Sequence, residues 1–294
     1  MYGFIVNTTA GSGKGNKVWK KAEAALKKNG TPYLVSFTEK PQDAGRLAKD
    51  LVQRGVNAVV AVGGDGTVNE TAEVLLHKCI PLGVIPAGSG NDFARSLAVS
   101  NNVDQALSRI IEYQPKKIDV LSLGDSCCLT VTGIGFDAAV AKAANESYLK
   151  KWFNAAGLGR LSYAAGVLHV LTSFSPTHMT ITIDGHKRVF TDVWLTAVAN
   201  APNYGGNIRI CPDAENTDGY LNLCILHGRK KWPLLRRIPS ICQGKHRPNK
   251  NISFFKGKDV HIHADSPVLV QSDGEVVTET PVRVQILPGA LTVL

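Results

Sequence analysis

The sequence predicts two domains of different class: an α/β N-terminal three-layer domain over residues 1–120, and a mainly antiparallel β-sandwich C-terminal domain over residues 121–294. Three observations predict this. A chain of 294 residues is long for one compact core. Up to about residue 120, short apolar runs alternate with helical periods, the pattern of a parallel sheet covered by helices. Beyond that point the texture changes to alternating β-type runs broken by Gly, Pro, Asn and Asp.

In the first part the strand-like runs are Gly3 to Asn7, Tyr33 to Phe37, Ala58 to Val62 and Pro81 to Ile85. Between and after them, Ala44, Leu47, Ala48, Leu51 and Val52 recur at helical spacing, as do Val103, Ala106, Leu107, Ile110 and Ile111. Ligands of such sheets sit outside the C-terminal ends of the strands, where the loops starting at Asn7, Gly63 and Pro86 are expected to converge. In the second part the strand-like runs are Leu129 to Thr132, Met179 to Ile183, Val193 to Ala199, Tyr220 to Leu226, Val260 to His263, Val268 to Gln271 and Val282 to Leu287. Helical insertions are expected at Phe136 to Asn145, Gly159 to Leu171 and Lys231 to Cys242. Whether Ala290 to Leu294 close the second domain or return to the first is open at this level.

The net charge of +9 is concentrated at Lys14/Lys17/Lys20/Lys21, Lys150/Lys151, Arg229/Lys230/Lys231, Arg236/Arg237 and Lys245/Arg247/Lys250. It favours anionic partners such as nucleotides, nucleic acid or an acidic membrane surface, and charge alone does not choose among them. No nucleic-acid-binding module accompanies it, which sets nucleic acid aside. The six cysteines show no Cys-x-x-Cys spacing, so neither a zinc site nor a disulfide framework is expected. His169, His261 and His263 read as packing or surface residues. Tyr2 to Asn7 already reads as a strand, not a signal peptide, and Leu161 to Ile183 is too interrupted to span a membrane. A soluble, cytoplasmic protein is expected.

The most informative stretch is Gly63-Gly64-Asp65-Gly66-Thr67, directly behind a strand-like run and ahead of a helical pattern. Glycines there let the backbone turn tightly against phosphates, with amides and a helix N-terminus facing the negative charge. A bare carboxylate at Asp65 would repel that anion unless a divalent cation or water lies between them, which points to a magnesium–nucleotide complex. An isolated Asp-Gly would be an ordinary turn, and the chain has three others, at Asp184, Asp218 and Asp273. Asn7 to Gly15 forms a second small-residue loop. It departs from the Walker A pattern because Gly15 follows Lys14, and from the dinucleotide fingerprint because Asn16 stands where the third Gly belongs. Pro86 to Arg95 is a third, in which Asn91 or Asp92 alternatively caps the next helix.

The GGDGT loop, the GSGNDFAR loop and the Gly-rich N-terminal loop, in this order and spacing, resemble the diacylglycerol kinase catalytic-domain family, especially small soluble bacterial lipid kinases. The resemblance covers essentially the whole chain. It implies ATP- and Mg2+-dependent transfer of a γ-phosphoryl group to a lipid hydroxyl, with nucleotide in the interdomain cleft. It places ATP contacts at Asn7, Thr8, Thr9, Ala10 and Gly11, at Thr38, at Gly63, Gly64, Asp65, Gly66, Thr67, Val68 and Asn69, and at Gly88, Ser89, Asn91 and Asp92. One departure is Thr8, where the family usually has Pro.

Two later segments match the same family. Pro212 to Leu221 looks like its structural magnesium loop, which implies ligands from the Asp218 carboxylate and the carbonyls of Glu215 and Tyr220. Gln271 to Glu275 matches its Asp-Gly-Glu segment, which implies general-base catalysis by Asp273 or Glu275. Strand alternation would put those two on one face unless the turn at Gly274 intervenes, and paired carboxylates near phosphates raise one pKa. Diacylglycerol is the first expected acceptor, with other long-chain alcohols or glycerolipids open. A kinase of a soluble acceptor such as NAD, and a non-catalytic lipid- or nucleotide-binding protein, are the competing readings. Reversible peripheral contact with the inner membrane face is expected, and a homodimer is compatible.

Overall fold

The computed structural model describes residues 1–146, 170–206, 208–229 and 238–294. The chain forms two compact units. The first is Met1–Val120 with Asn216–Asp218 and Leu287–Leu294; the second is Leu121–Glu215 with Gly219–Ile286.

In the first unit, β1 (Tyr2–Val6), β2 (Tyr33–Phe37), β3 (Ala58–Gly63) and β4 (Leu82–Pro86) run parallel in the order β2-β1-β3-β4. Both faces of β3 and β4 are buried, which is why these strands read as unbroken apolar runs. Helices α1 (Ala10–Lys28) and α5 (Val103–Glu112) send Trp19, Leu26, Leu107 and Ile110 against Phe4, Val60, Val62 and Ile85 on one face. Leu51 of α2 (Asp43–Gln53) touches the position of Gly3, on the opposite face by strand alternation, and α2 packs beside α3 (Asp65–Leu75). The result is three layers. Because β2 and β3 flank β1 on opposite sides, the loops leaving β1 and β3 diverge and open a crevice at the C-terminal strand ends.

The second unit is antiparallel. The strand β5 (Lys116–Leu123) crosses the unit boundary and pairs with β6 (Ser126–Cys128). From there β7 (Val131–Gly135) leads into α6 (Phe136–Glu146) and pairs with β9 (His186–Ala199) and β13 (Leu269–Ser272). On the other side β9 pairs with β8 (Thr177–Ile183), which pairs with β12 (Asp259–Ala264), and β12 pairs with β15 (Val282–Val293). Two further strands, β10 (Leu221–His227) and β11 (Ile252–Gly257), extend from the inner half of β9, and β14 (Glu275–Glu279) pairs with β13. Strand alternation sorts two cores: Leu221, Leu223 and Ile225 of β10 join Ile134, Val198 and Val260, whereas Cys224 and Leu226 join Val131, Ala197 and Ile252.

The structure extends the sequence reading in several places. β15 runs on past Leu287, and Val293 pairs in parallel with Leu82, so the last residues return to the first unit. β9 begins at His186, seven residues before the apolar run, because its outer half is exposed and polar. β5, β6, β11 and β14 lie outside the runs expected from sequence; β14 is exposed at every residue and carries no alternation. The helical insertion at Phe136 is α6. Of the other two, residues 159–169 and 231–237 lie outside the described residues, as do the Lys150/Lys151 and Arg236/Arg237 clusters, Lys230 and Lys231; Ile238–Cys242 forms the short helix α7. Among the described residues no helix is long and apolar enough to cross a membrane.

The start of α5 is fixed by Asn102, whose side-chain oxygen accepts from the amides of Asp104 (2.9 Å) and Gln105 (3.4 Å). Asn102→Ala removes that cap and is expected to cost about 1 kcal/mol in urea denaturation. An unchanged midpoint would show that α5 does not need it.

Candidate functional site

Three glycine loops meet at the C-terminal edge of the parallel sheet in the first unit. Gly63 pairs with Pro86 at the ends of β3 and β4, and the Ala87 amide donates to the Gly63 carbonyl at 2.8 Å. This sets the two loops backbone to backbone: a Cβ on Gly88 would lie 2.5 Å from the Gly64 Cα. The N-terminal loop joins through Gly11, where a Cβ would sit 2.2 Å from the Ala87 carbonyl oxygen. Gly11, Ser12 and Gly13 all have left-handed φ (57°, 59° and 89°), so this loop delays the regular part of α1. No side chain fits at Gly11 or Gly88.

The polar side chains here mostly shape the loops. Asn7 Nδ2 donates to Thr67 Oγ1 at 3.1 Å, and Asn7 Oδ1 accepts from the amide and hydroxyl of Thr9. Asn91 exchanges two hydrogen bonds with the backbone of Gly88. Asp92 pairs with Arg95, whose guanidinium also donates to the Gly90 carbonyl at 2.8 Å. Asp65 Oδ1 accepts from the Phe93 amide at 3.2 Å, and its Oδ2 lies against Gly90, where a Cβ would be 2.8 Å away. Asp65 thus ties the GGDGT loop to the start of α4 (Asp92–Ser96). Thr67 and Val68 are buried, so their side chains are structural; Thr8, Ala10, Thr38 and Asn69 are half-buried, and Thr9, Gly66 and Ser89 exposed. The first intrahelical bond of α3 runs from Val68 to the Gly64 carbonyl, leaving the Gly66 and Thr67 amides without an intrahelical acceptor. Amides facing outward at a helix N-terminus, beside glycine backbone, suit an anion.

Of the predicted metal loop, Asn216–Asp218 belong to the first unit, where the Asn216 carbonyl accepts from the amide of Asp119 at 2.7 Å. Asp119 is buried and its Oδ1 accepts from Gly289 at 2.8 Å. Asp218 is half-buried; Glu215 and Tyr220 are exposed, and the ammonium groups of Lys256 and Lys258 sit 4.8 and 4.9 Å from the Tyr220 ring centre. Among the described residues no group of three or more His, Cys, Asp or Glu side chains is placed to hold a metal ion. An oxygen donor set of carboxylate, carbonyls and water is the kind a hard cation takes.

In the second unit, Asp273 and Gly274 (φ 48° and 90°) form a two-residue turn joining β13 to β14. The turn separates the two acids that alternation would have aligned. Asp273 folds back: its carboxylate accepts from the amides of Leu129 (2.7 Å) and Thr130 (2.9 Å), from the Thr130 hydroxyl and from the Cys128 thiol (3.4 Å). Burial pushes this carboxyl above its ordinary range, and those four donors pull against the shift. Glu275, the first residue of β14, is exposed. Behind the hairpin stands Asp137, in the first turn of α6, which accepts from Gln271 Nε2 at 3.3 Å and from its neighbour Ala138 at 2.9 Å. Burial raises Asp137 to about 7. Sequence reasoning named neither Asp137 as a site residue nor Gln271 as its partner; a carboxylate in an apolar helix start after a Gly-x-Gly strand was the available signal.

Similar proteins identify the family. The sequence model for the diacylglycerol kinase catalytic domain matches residues 1–123, and that for the YegS C-terminal NAD kinase beta sandwich-like domain matches residues 130–294. A diacylglycerol kinase of Mycobacterium tuberculosis (strain CDC 1551 / Oshkosh) is 31% identical over 99% of this chain and 93% of its own. The chain belongs to the diacylglycerol kinase family of lipid kinases. Within this family its fold is also similar to a crystal structure of a diacylglycerol kinase from Bacillus anthracis str. Sterne, with a TM-score of 0.74 and 23% identity, covering 99% of this chain and 95% of that one.

The raised Asp137 pKa makes a stability prediction. Below about pH 4 the carboxyl is protonated folded or unfolded; between about pH 4 and the folded value the unfolded chain releases its proton first, so stability falls as pH rises and then levels off. Asp137→Asn removes that slope. The melting temperature of the variant relative to the wild type is expected to rise from about pH 4.5 to about pH 7.5. A constant difference would contradict the raised value.

Proposed function

We propose that this protein is an ATP-dependent lipid kinase that transfers the γ-phosphoryl group to a lipid hydroxyl, with diacylglycerol the acceptor and phosphatidic acid the product. The observation that carries this reading is the backbone contact of the Gly64 and Gly88 loops with Gly11 beside them, beneath the N-terminus of α3. Such a surface offers amides without side chains and suits the phosphates of a nucleotide. Phosphoryl transfer needs little from a protein beyond positioning and charge neutralisation.

Glu275 is the base in this reading, because it is exposed while the Asp273 carboxylate is occupied by four donors. The acceptor hydroxyl gives its proton to Glu275 as its oxygen bonds to the γ-phosphorus, and the bond to the β–γ bridging oxygen breaks to release ADP. Asp273 holds the hairpin tip. Magnesium would be held by Asp218 with the Glu215 and Tyr220 carbonyls and water, and with the nucleotide near Asp65, where it supplies neutralisation of phosphate charge. A cavity of about 350 Å³ beside α6, lined by Ala139, Ala143, Val170, Phe174 and Leu269 together with Lys142, Ser173 and Ser175, offers a partly apolar surface to an acyl chain. Exposed Lys14, Lys17 and Lys20 on α1 supply attraction to an anionic inner membrane face, at about 1 kcal/mol for each well-placed cation.

The test is transfer from labelled ATP with Mg2+ to diacylglycerol, other glycerolipids and NAD in mixed micelles. Wild type is expected to phosphorylate lipid. Glu275→Gln should lower kcat by at least about 100-fold, and Asp273→Asn should lower melting temperature as well as rate. Gly88→Ala should raise the KM for ATP by about tenfold or more by forcing the loops apart. Transfer to NAD alone would replace the acceptor, and binding without turnover would make the protein a carrier.

A further inference from the structure

Gln271 is 1% exposed and bridges two elements. Its Nε2 donates to Asp137 Oδ2 at 3.3 Å, and its Oε1 accepts from the Gly274 amide at 2.7 Å. Gly274 is the turn residue between Asp273 and Glu275. The approach is possible because Gly133 faces Gln271 across β7 and β13: a Cβ there would lie 1.7 Å from Asp137 Oδ2 and 2.6 Å from Gln271 Nε2.

A primary amide has two unlike ends of nearly equal size, and in a buried site the wrong way round is costly. Turned over, Gln271 would set its NH2 group against the Gly274 N–H, two donors facing each other with no acceptor between them. The partner at the far end enforces the same orientation. An ionised carboxylate only accepts, so it draws Nε2 towards itself and leaves Oε1 for Gly274; a protonated carboxyl also donates, and it no longer adds to the preference that the Gly274 N–H sets.

We propose that Asp137 and Gln271 are positioning residues for the hairpin that carries Glu275: the acceptor-only carboxylate of Asp137 fixes the orientation of the Gln271 amide, and the amide holds the Gly274 N–H that sets where β14 begins. The role rests on the assignment of Glu275 as base. It also makes the hairpin sensitive to pH through Asp137, whose buried carboxyl is raised to about 7. Among the described residues the surroundings of that group are simple. The Tyr204 hydroxyl donates to it, β7 and the stretch of β9 paired with it carry no titratable side chain, β14 contributes the exposed Glu275 and Glu279, and the Asp273 carboxylate is held by Leu129 and Thr130. Lys142, one turn along α6, is exposed.

A charge swap tests the relay. Asp137→Asn loses the acceptor-only end, and Gln271→Glu sets two carboxyls against each other. In the double variant the two groups are complementary again: the carboxylate placed at position 271 accepts from the Gly274 amide and from the side-chain amide placed at position 137, whose oxygen still accepts from Ala138. Each single substitution is expected to lower kcat by about tenfold or more with KM for ATP and lipid little changed, and D137N/Q271E to recover to within about threefold of wild type. A double variant no better than the worse single one, in an enzyme whose wild type turns over, overturns the relay. Loss of lipid phosphorylation in the wild type itself would instead count against the proposed function, and the relay is then judged without activity. In 15N-glycine-labelled full-length protein, the Gly274 amide resonance should titrate with a midpoint near the Asp137 value and be flat in Asp137→Asn. A Gly274 resonance that does not move in the wild type from about pH 5 to about pH 9 overturns the relay as well.

Discussion

The first unit depends on one close approach, the Gly64 backbone lying against the Gly88 backbone. It follows from sheet register: Gly63 and Pro86 are the last paired residues of adjacent parallel strands, so the chains leaving them have no room for side chains. Asp65 then bridges to the Phe93 amide, Asn91 closes its own loop onto Gly88, and Gly11 brings the N-terminal loop onto Ala87. Each contact is built on main-chain groups. A surface made this way keeps its amides available and its shape fixed, which serves a ligand whose charge is spread over many equivalent oxygens.

The second unit uses aspartate as a strut. Asp184 and Asp273 both occupy the first turn position with left-handed φ, and each carboxylate accepts two consecutive amides of a neighbouring segment: Lys258 and Asp259 for the first, Leu129 and Thr130 for the second. The recurrence in a hairpin with no assigned chemistry gives Asp273 a structural account of its own. It leaves Glu275 as the exposed acid next to the turn, with Glu279 at the far end of β14. In the proposed mechanism the structural and chemical roles thus fall to two residues that sit two apart in sequence and are separated by a turn.

Much of this was legible in the chain. The parallel strands stood out because burial on both faces demands continuous apolar runs, and the glycine loops because few other residues tolerate such backbone contact. Among the missed strands, β14 and the outer half of β9 have no buried face, whereas β5, β6 and β11 bury residues without a regular alternation. A shared face for Asp273 and Glu275 would require a continuing strand, and the turn at Gly274 intervenes, as Asp-Gly favours. The link from Asp137 to Gln271 spans 134 positions and depends on strand register, which no local pattern encodes.

Amide hydrogen exchange with and without Mg-ATP tests most directly whether the three glycine loops act together as one phosphate cradle. Protection is expected to rise together at Gly11 to Gly13, Gly64 to Thr67 and Ala87 to Gly90. Protection confined to a single loop, or absent from all three at saturating nucleotide, would contradict the cradle.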